Sequence, residues 1–492
     1  MPEVREGRWY FHQLFVDGQR AQRARTPNDG YFQAAGELGA GSPIDLPFRP
    51  GDLKAHWAEV PDARLVMLMK WTDLHLPISE GDTAGNIAKL PGGPRSSWMD
   101  EADARYWVEN VPDALDSAGR LIGLTLSDTD YEMPAQGLIS PQAAMPIPGS
   151  VRITYATGGR IEDCVFENLG GYALELGRGT QGWSIVANRV RSIAAGGIRV
   201  GEPGGRDAPS ADACFGHQIT DNELTQLGRV FAPACGVIIF HSGSNRIAHN
   251  HIHDLYYTGI SVGWNWGYRE TPCRDNTIEF NLVERVGQGR LSDMGGIYTL
   301  GPQPGTVVRN NLFRDVQSYR YGGWGLYTDE GSSGILMENN VAYRCTDAGF
   351  HQHYGRDNVV RNNLLAWNVN HSVMRTREEP HRSFTFTRNV IIADSGTLLG
   401  SNWTGTPEQF HCDYNTWFDT RYGQDEQQYR FAGQTWDQWR SRGQGEHSQI
   451  ADPLLVDPQR PELGLRSDSP AYALDFEPID LSNVGPRPSG SQ

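Results

Sequence analysis

Ile247-Ala248-His249-Asn250-His251-Ile252 and, one unit later, Ile278-Glu279-Phe280-Asn281-Leu282-Val283 share a pattern: an apolar residue, two positions, an asparagine, one position, a second apolar residue. Upstream it recurs as Ile219-x-x-Asn222-x-Leu224 and Ile185-x-x-Asn188-x-Val190, and with cysteine at the asparagine place as Ile161-x-x-Cys164-x-Phe166. Downstream come Val307-x-x-Asn310-x-Leu312, Leu336-x-x-Asn339-x-Val341, Val359-x-x-Asn362-x-Leu364, Phe386-x-x-Asn389-x-Ile391 and Cys412-x-x-Asn415-x-Trp417. A unit of some 23 to 34 residues repeated this often is the mark of a solenoid. The segments are short, rich in Val and Ile, and alternate with period two, which excludes leucine-rich, ankyrin and helical repeats. The reading is an all-β, right-handed parallel β-helix of the pectin-lyase-like kind over residues 151–450. Equivalent residues then stack about 4.8 Å apart, and the asparagines form an internal ladder that satisfies backbone groups at a turn.

A second column fixes the register. Gly197-Ile198, Gly236-Val237, Gly259-Ile260, Gly296-Ile297, Gly325-Leu326 and Gly349-Phe350 each open a strand in successive units. Residues 1–150 lack the ladder and read as a small β-rich, sandwich-like accessory domain. In it, Arg8 to Arg25 is a hairpin turning at Asp17-Gly18, Leu65 to Trp71 is a strand, and Glu101 to Leu115 passes through a short helix. The Pro- and Asp-rich tail, 451–492, is expected to cap the last coils.

The 492 residues carry a formal net charge of −16, against a nucleic-acid partner, which calls for a basic face. No apolar stretch is long enough to span a membrane, so neither nucleic acid nor membrane is expected as a partner, and a monomer is favoured. The only lysines are Lys54, Lys70 and Lys89, which leaves the repeats lysine-free. Six cysteines without zinc-type spacing read as buried small residues, with Cys214–Cys235 as one conceivable disulfide. No metal or cofactor is expected. An extracellular or periplasmic location is expected for a protein acting on polymers.

Alternation within each strand decides which side chains leave the core. With Ile297, Leu326 and Phe350 inward, Tyr298, Tyr327 and His351 form one outward column, and Leu300, Asp329 and His353 the next. Beyond these lie Glu330 and Tyr354, with His241 and Trp264 at the same place on earlier coils, and Asp293 precedes the Gly295-Gly296 step. Three carboxylates thus meet on one face with His351 and His353, while Tyr256, Tyr257, Tyr298, Tyr327, Trp264, Trp266 and Trp324 could stack on sugars. Glycoside hydrolysis needs two carboxyl groups, one protonated and one ionised, roughly 5 Å apart for retention and roughly 6.5–9.5 Å apart for inversion. Asp293, Asp329 and Glu330 are therefore the candidate catalytic residues, and His351, His353, Tyr298, Tyr327, Trp264, Trp266, Trp324, Tyr354 and His241 the candidate sugar-binding ones.

These segments also resemble a known family. Asp293-Met294-Gly295-Gly296-Ile297-Tyr298-Thr299, Trp324-Gly325-Leu326-Tyr327-Thr328-Asp329-Glu330-Gly331 and Gly349-Phe350-His351-Gln352-His353-Tyr354-Gly355 resemble the β-helix enzymes of glycoside hydrolase family 141. So do Thr258-Gly259-Ile260-Ser261-Val262-Gly263-Trp264 and the hairpin Gln13-Leu14-Phe15-Val16-Asp17-Gly18. The resemblance implies hydrolysis of plant or algal wall polysaccharides, of xylanase or α-L-fucosidase type, and an essential aspartate pair that falls on Asp293 and Asp329. It also implies coil sequence ahead of the Gln13 hairpin. Two other functions remain open: a polysaccharide lyase acting by β-elimination, for which lysine-free coils offer only poor bases such as Arg320, Arg356 and Arg375, and a non-catalytic carbohydrate-binding β-helix.

Overall fold

A computed structural model describes residues 14–16, 19–20, 23–39, 41–60, 63–82, 85–91, 101–114, 124–126 and 137–488. From Gly149 onward the chain winds a right-handed solenoid of about ten coils whose strands stack into three parallel sheets. The first sheet contains Gly149–Ile153, Tyr172–Leu176, Ile198–Val200, Val237–Ile239, Ile260–Val262, Gly295–Thr299, Trp324–Thr328, Phe350–Gln352, His371–Arg375 and Thr397–Ser401, in that order. The second has ten strands and the third eleven, the last being Gln449–Ile450.

The glycine-apolar column sets the first sheet as the alternation requires. Ile198 pairs with Val237, Val237 with Ile260, Ile260 with Ile297, Ile297 with Leu326 and Leu326 with Phe350, and all six are wholly buried. The glycine before each is a packing requirement: a Cβ on Gly296 would lie 2.7 Å from the Phe313 ring and 2.9 Å from the Gly325 carbonyl.

The asparagine ladder runs through Asn188, Asn222, Asn250, Asn281, Asn311, Asn340, Asn363, Asn389 and Asn415. From Asn222 onward each side-chain carbonyl accepts the backbone N–H and the side-chain NH2 of the asparagine one coil earlier, as Asn281 does from Asn250 at 3.1 and 2.9 Å, while Asn188 accepts from the Cys164 N–H at 3.0 Å. In three coils this corrects the sequence register by one residue, because Asn310, Asn339 and Asn362 lie outside the ladder. They occupy the position before it, where every coil turns through a left-handed residue: Ala187, Asp221, His249, Phe280, Asn310, Asn339, Asn362, Arg388 and Tyr414 all have φ between 53 and 60°.

The cause of the slip is visible in the packing. The C-terminal tail runs back along the coils, with Asn362 bonded to Glu477, Asn310 to Asp480, His249 to Asn483, Phe280 to Gly485 and Asp221 to Arg487. Its Phe476, Ile479, Leu481 and Val484 cover the outer face of the third sheet at Leu312, Val341, Leu364 and Val390. Both faces of those strands are therefore apolar, and the period-two signal that fixes register is lost there.

The region before the coils forms three small antiparallel sheets. The hairpin appears as Leu14–Val16 paired with Gln19–Arg20; its Asp17-Gly18 turn, and Arg8 to Gln13 before it, lie outside the described residues. The 65–71 strand is Arg64–Leu68, turning at Trp71 into Asp73–Pro77. The helix expected over 101–115 is instead the strand Arg105–Glu109, paired with Arg64–Leu68, followed by a single 3-10 turn at Pro112–Ala114; Leu115 lies outside the described residues. Its Tyr106 and Val108 are wholly buried in this region's own core, so tertiary packing overrides local helix preference. All six cysteines are free, which removes the Cys214–Cys235 disulfide; five are buried and Cys164 is exposed.

Candidate active site

Asp293 and Asp329 reach the same place from neighbouring coils. Asp293 takes a left-handed conformation (φ 55°) just before the strand Gly295–Thr299. The Tyr321–Gly323 turn of the next coil clamps it: the Asp293 N–H donates to the Tyr321 carbonyl at 3.1 Å, and a Cβ on Gly322 would come within 2.8 Å of the Asp293 nitrogen. Asp329 follows directly on Trp324–Thr328 and donates its N–H to the Thr299 carbonyl one coil earlier at 2.9 Å.

A tyrosine–carboxylate network joins the two. Asp329 Oδ2 accepts from the Tyr298 hydroxyl at 2.6 Å, and its Oδ1 lies 2.9 Å from His353 Nδ1. Asp293 Oδ1 accepts from Tyr327 at 2.9 Å and Oδ2 from Tyr321 at 3.3 Å, while the Asp293 carbonyl accepts from Tyr257 at 2.9 Å. The Tyr298 and Tyr327 rings meet edge to face at 5.1 Å. Glu330 turns aside and accepts from the Tyr354 hydroxyl at 2.8 Å.

These surroundings set the protonation states. Burial, and then the charge of Asp329, push the Asp293 carboxyl up to about 7, against the lowering effect of the Tyr327 hydrogen bond. Burial opposes the charge of His353, yet its hydrogen bond to Asp329 and the nearby carboxylates outweigh that and raise its pKa. His351 is driven far the other way by burial and by His353, so it stands neutral, stacked on Tyr327 at 4.9 Å and held by Thr376 at 2.6 Å.

The other residues singled out in the sequence divide by exposure. Tyr298, Tyr327, Trp324 and His351 are each only 2% exposed and form a packed layer behind the carboxylates. His353, Glu330 and Asp293 are partly open. Trp264 and His241 lie one and two coils before Asp293, beside a cleft of about 330 Å³ that they share with Arg206, Asn265 and the exposed Trp266. The loop after Trp264 leans back toward the carboxylates: Gly267 N–H reaches the Glu330 carbonyl, and the Tyr268 ring meets Tyr354 at 5.9 Å.

Several members of the site take parts that the sequence reading does not give them, and Tyr257, expected to stack on sugar, is instead buried against the Asp293 carbonyl. Tyr321 and Tyr257 hold Asp293. Asp347, buried two coils from Asp293, accepts from the Gly322 N–H at 3.2 Å and is kept toward its neutral form by burial. The first region forms a wall: the Lys70 carbonyl accepts from Ser292 N–H at 2.7 Å, Arg105 donates to the Gly289 carbonyl, Asp103 pairs with Arg320, and the Gln142 side chain reaches the Tyr298 hydroxyl. Tyr321 could have been found from its place in the Tyr321-Gly322-Gly323 turn, one coil beyond Asp293. Nothing local marks residues 70, 103, 105 or 142, whose neighbours are set by long-range packing.

Residues 236–406 match a family model described as right handed beta helix region. No curated protein matches the chain. Among solved structures, one described as "Glycoside hydrolase" is 20% identical with a TM-score of 0.57, covering 72% of this chain and 76% of its own. XylC in complex with xylose is 11% identical, TM-score 0.38, covering 90% and 75%; the PL6 family alginate lyase AlyGC is 12% identical, TM-score 0.31, covering 68% and 55%. The chain is thus similar across its central coils to the right-handed β-helix family, and its likeness to the solved glycoside hydrolase is one of fold.

Proposed function

We propose that the chain is a glycoside hydrolase acting on a plant or algal cell-wall polysaccharide, with Asp293 as general acid and Asp329 as base or nucleophile. The observation that carries this reading is the pairing of two carboxyl groups from adjacent coils in one tyrosine network, with the protonation of Asp293 displaced toward neutrality. A general acid needs a pKa near the working pH, which burial beside a second carboxylate supplies. Asp329, with Tyr298 and His353 on its two oxygens, is held in one orientation for attack on a sugar carbon or on a water. The family 141 resemblance, which puts its aspartate pair on the same two residues, supports the assignment, as does its implication of xylan or fucosylated glycan as substrate.

Glu330, His353 and Trp266 are the groups left open to sugar, the buried Tyr354 holds Glu330, and Tyr298, Tyr327, Trp324 and His351 pack behind or hold the carboxylates. The test is release of reducing sugar from xylan, fucosylated pectic glycans and aryl glycosides, with ultraviolet absorbance followed in parallel. New reducing ends without absorbance, abolished in Asp293→Asn and Asp329→Asn, are expected. A 4,5-unsaturated product would establish a lyase instead, and binding without turnover in the parent chain would establish a binding module.

A further inference from the structure

Away from the carboxylates, on the outer face of the third sheet, Glu223, His251 and His253 stand on coils three and four, with His251 directly above Glu223 in the ladder. Their ligand atoms all lie within 4.8 Å of one another. This part of the sheet lies ahead of the strands whose outer face the C-terminal tail covers.

Polar groups crowd one ring nitrogen of His253 and leave the other without a hydrogen-bond partner. Nδ1 lies 2.6 Å from Asp254 Oδ2, a contact that is attractive only with the proton on Nδ1. Thr225 Oγ1 and Arg285 Nη2 are each 3.1 Å from the same nitrogen, and Arg285 donates to both Asp254 oxygens, anchoring that carboxylate. Nε2 is buried, has no hydrogen-bond partner, and points at Glu223 Oε1 3.6 Å away. A buried imidazole nitrogen without a hydrogen-bond partner thus faces a carboxylate oxygen, two potential ligand atoms supplied by adjacent coils. The His251 ring stacks on His253 at 4.1 Å, and its Nε2 lies 3.1 Å from Glu284, whose carboxyl is held well down by hydrogen bonds from His251, Arg314 and Arg285 against the effect of burial.

A cation between these groups satisfies both. Ligands on a tetrahedral zinc ion at about 2.0–2.1 Å sit about 3.4 Å from one another, close to the separation of His253 Nε2 and Glu223 Oε1. A carboxylate that accepts the far N–H of a ligating histidine is the usual outer partner in such sites, and Asp254 holds that place. Two imidazoles and one carboxylate favour zinc and its d-block neighbours over calcium or magnesium, which take oxygen ligands.

We propose that Glu223, His251 and His253 bind a divalent d-block ion of the zinc class, oriented through Asp254 and linking coils three and four. Tag-free protein stripped with chelator and dialysed would be titrated calorimetrically with zinc chloride, with calcium chloride as control. One saturable zinc site, a rise in melting temperature on loading and no calcium response are expected. Glu223→Gln, at a side chain 46% exposed, and His253→Ala should each abolish that site, and Asp254→Asn should weaken it about 10- to 100-fold. Absence of saturable zinc binding in the parent, or unchanged binding in Glu223→Gln and His253→Ala, would overturn the proposal.

Discussion

At the asparagine corner every coil repeats its neighbour, so each polar group bonds to its own equivalent one step along the axis. On the outer face of the first sheet the equivalents differ: Tyr298, Tyr327 and His351 share one column, and Leu300, Asp329 and His353 the next. A solenoid makes repetition serve stability, because a like-on-like ladder satisfies buried amides without any outside partner. Breaking the repetition creates unlike neighbours, and unlike neighbours push protonation states apart. The stabilising and the reactive parts of this molecule are thus the same coils seen from two sides.

The sharpest test of that division is Asp329→Asn, which keeps the shape and removes the charge. Turnover on a responsive substrate should fall about 10²- to 10⁴-fold, while the unfolding midpoint stays near that of the parent. An active variant would break the comparison by removing Asp329 from the chemistry.

At the other corner the effect should fall on stability. Asn281 makes bonds to Asn250, Asn311, Ile247 and Glu279, all within the buried ladder. Asn281→Leu leaves those groups unpaired and should cost about 2–5 kcal/mol, read from urea unfolding, with KM little altered in whatever protein folds. A smaller contrast tests the corrected register. Asn311→Gly should cost a similar amount, whereas Asn310→Gly, at a left-handed residue outside the ladder, should change stability by less than about 1 kcal/mol. Equal losses would return Asn310 to the ladder.

The same contrast explains what could be read from the sequence. Repetition is legible in one chain because it is its own alignment: the column of Ile198, Val237, Ile260, Ile297, Leu326 and Phe350 needed no outside information. It failed only at Asn310, Asn339 and Asn362, where the tail hides the outer face and adjacent asparagines compete for one place. The meeting of Asp293 with Asp329 followed from register, since both lie within a few residues of aligned strands. The supporting groups from Lys70, Asp103, Arg105 and Gln142 did not, because contacts across about 150 residues or more leave no local pattern. Nor did the depth of Tyr298 and Tyr327: alternation says which way a side chain points, and says nothing of what later covers it.

The smallest expected effect discriminates most finely between roles. Tyr327 donates to Asp293 and lowers its pKa, in opposition to burial and to Asp329. Tyr327→Phe removes that donor and should raise the Asp293 pKa further. If Asp293 is the general acid, activity requires its protonated form, so kcat/KM falls as pH rises through the Asp293 pKa, and the alkaline limb of the profile should move to higher pH in the variant. If Asp293 were instead the base, the acidic limb would move upward and activity near neutrality would drop. The direction of that one shift, measured on a single substrate across the pH range, assigns the acid within the pair.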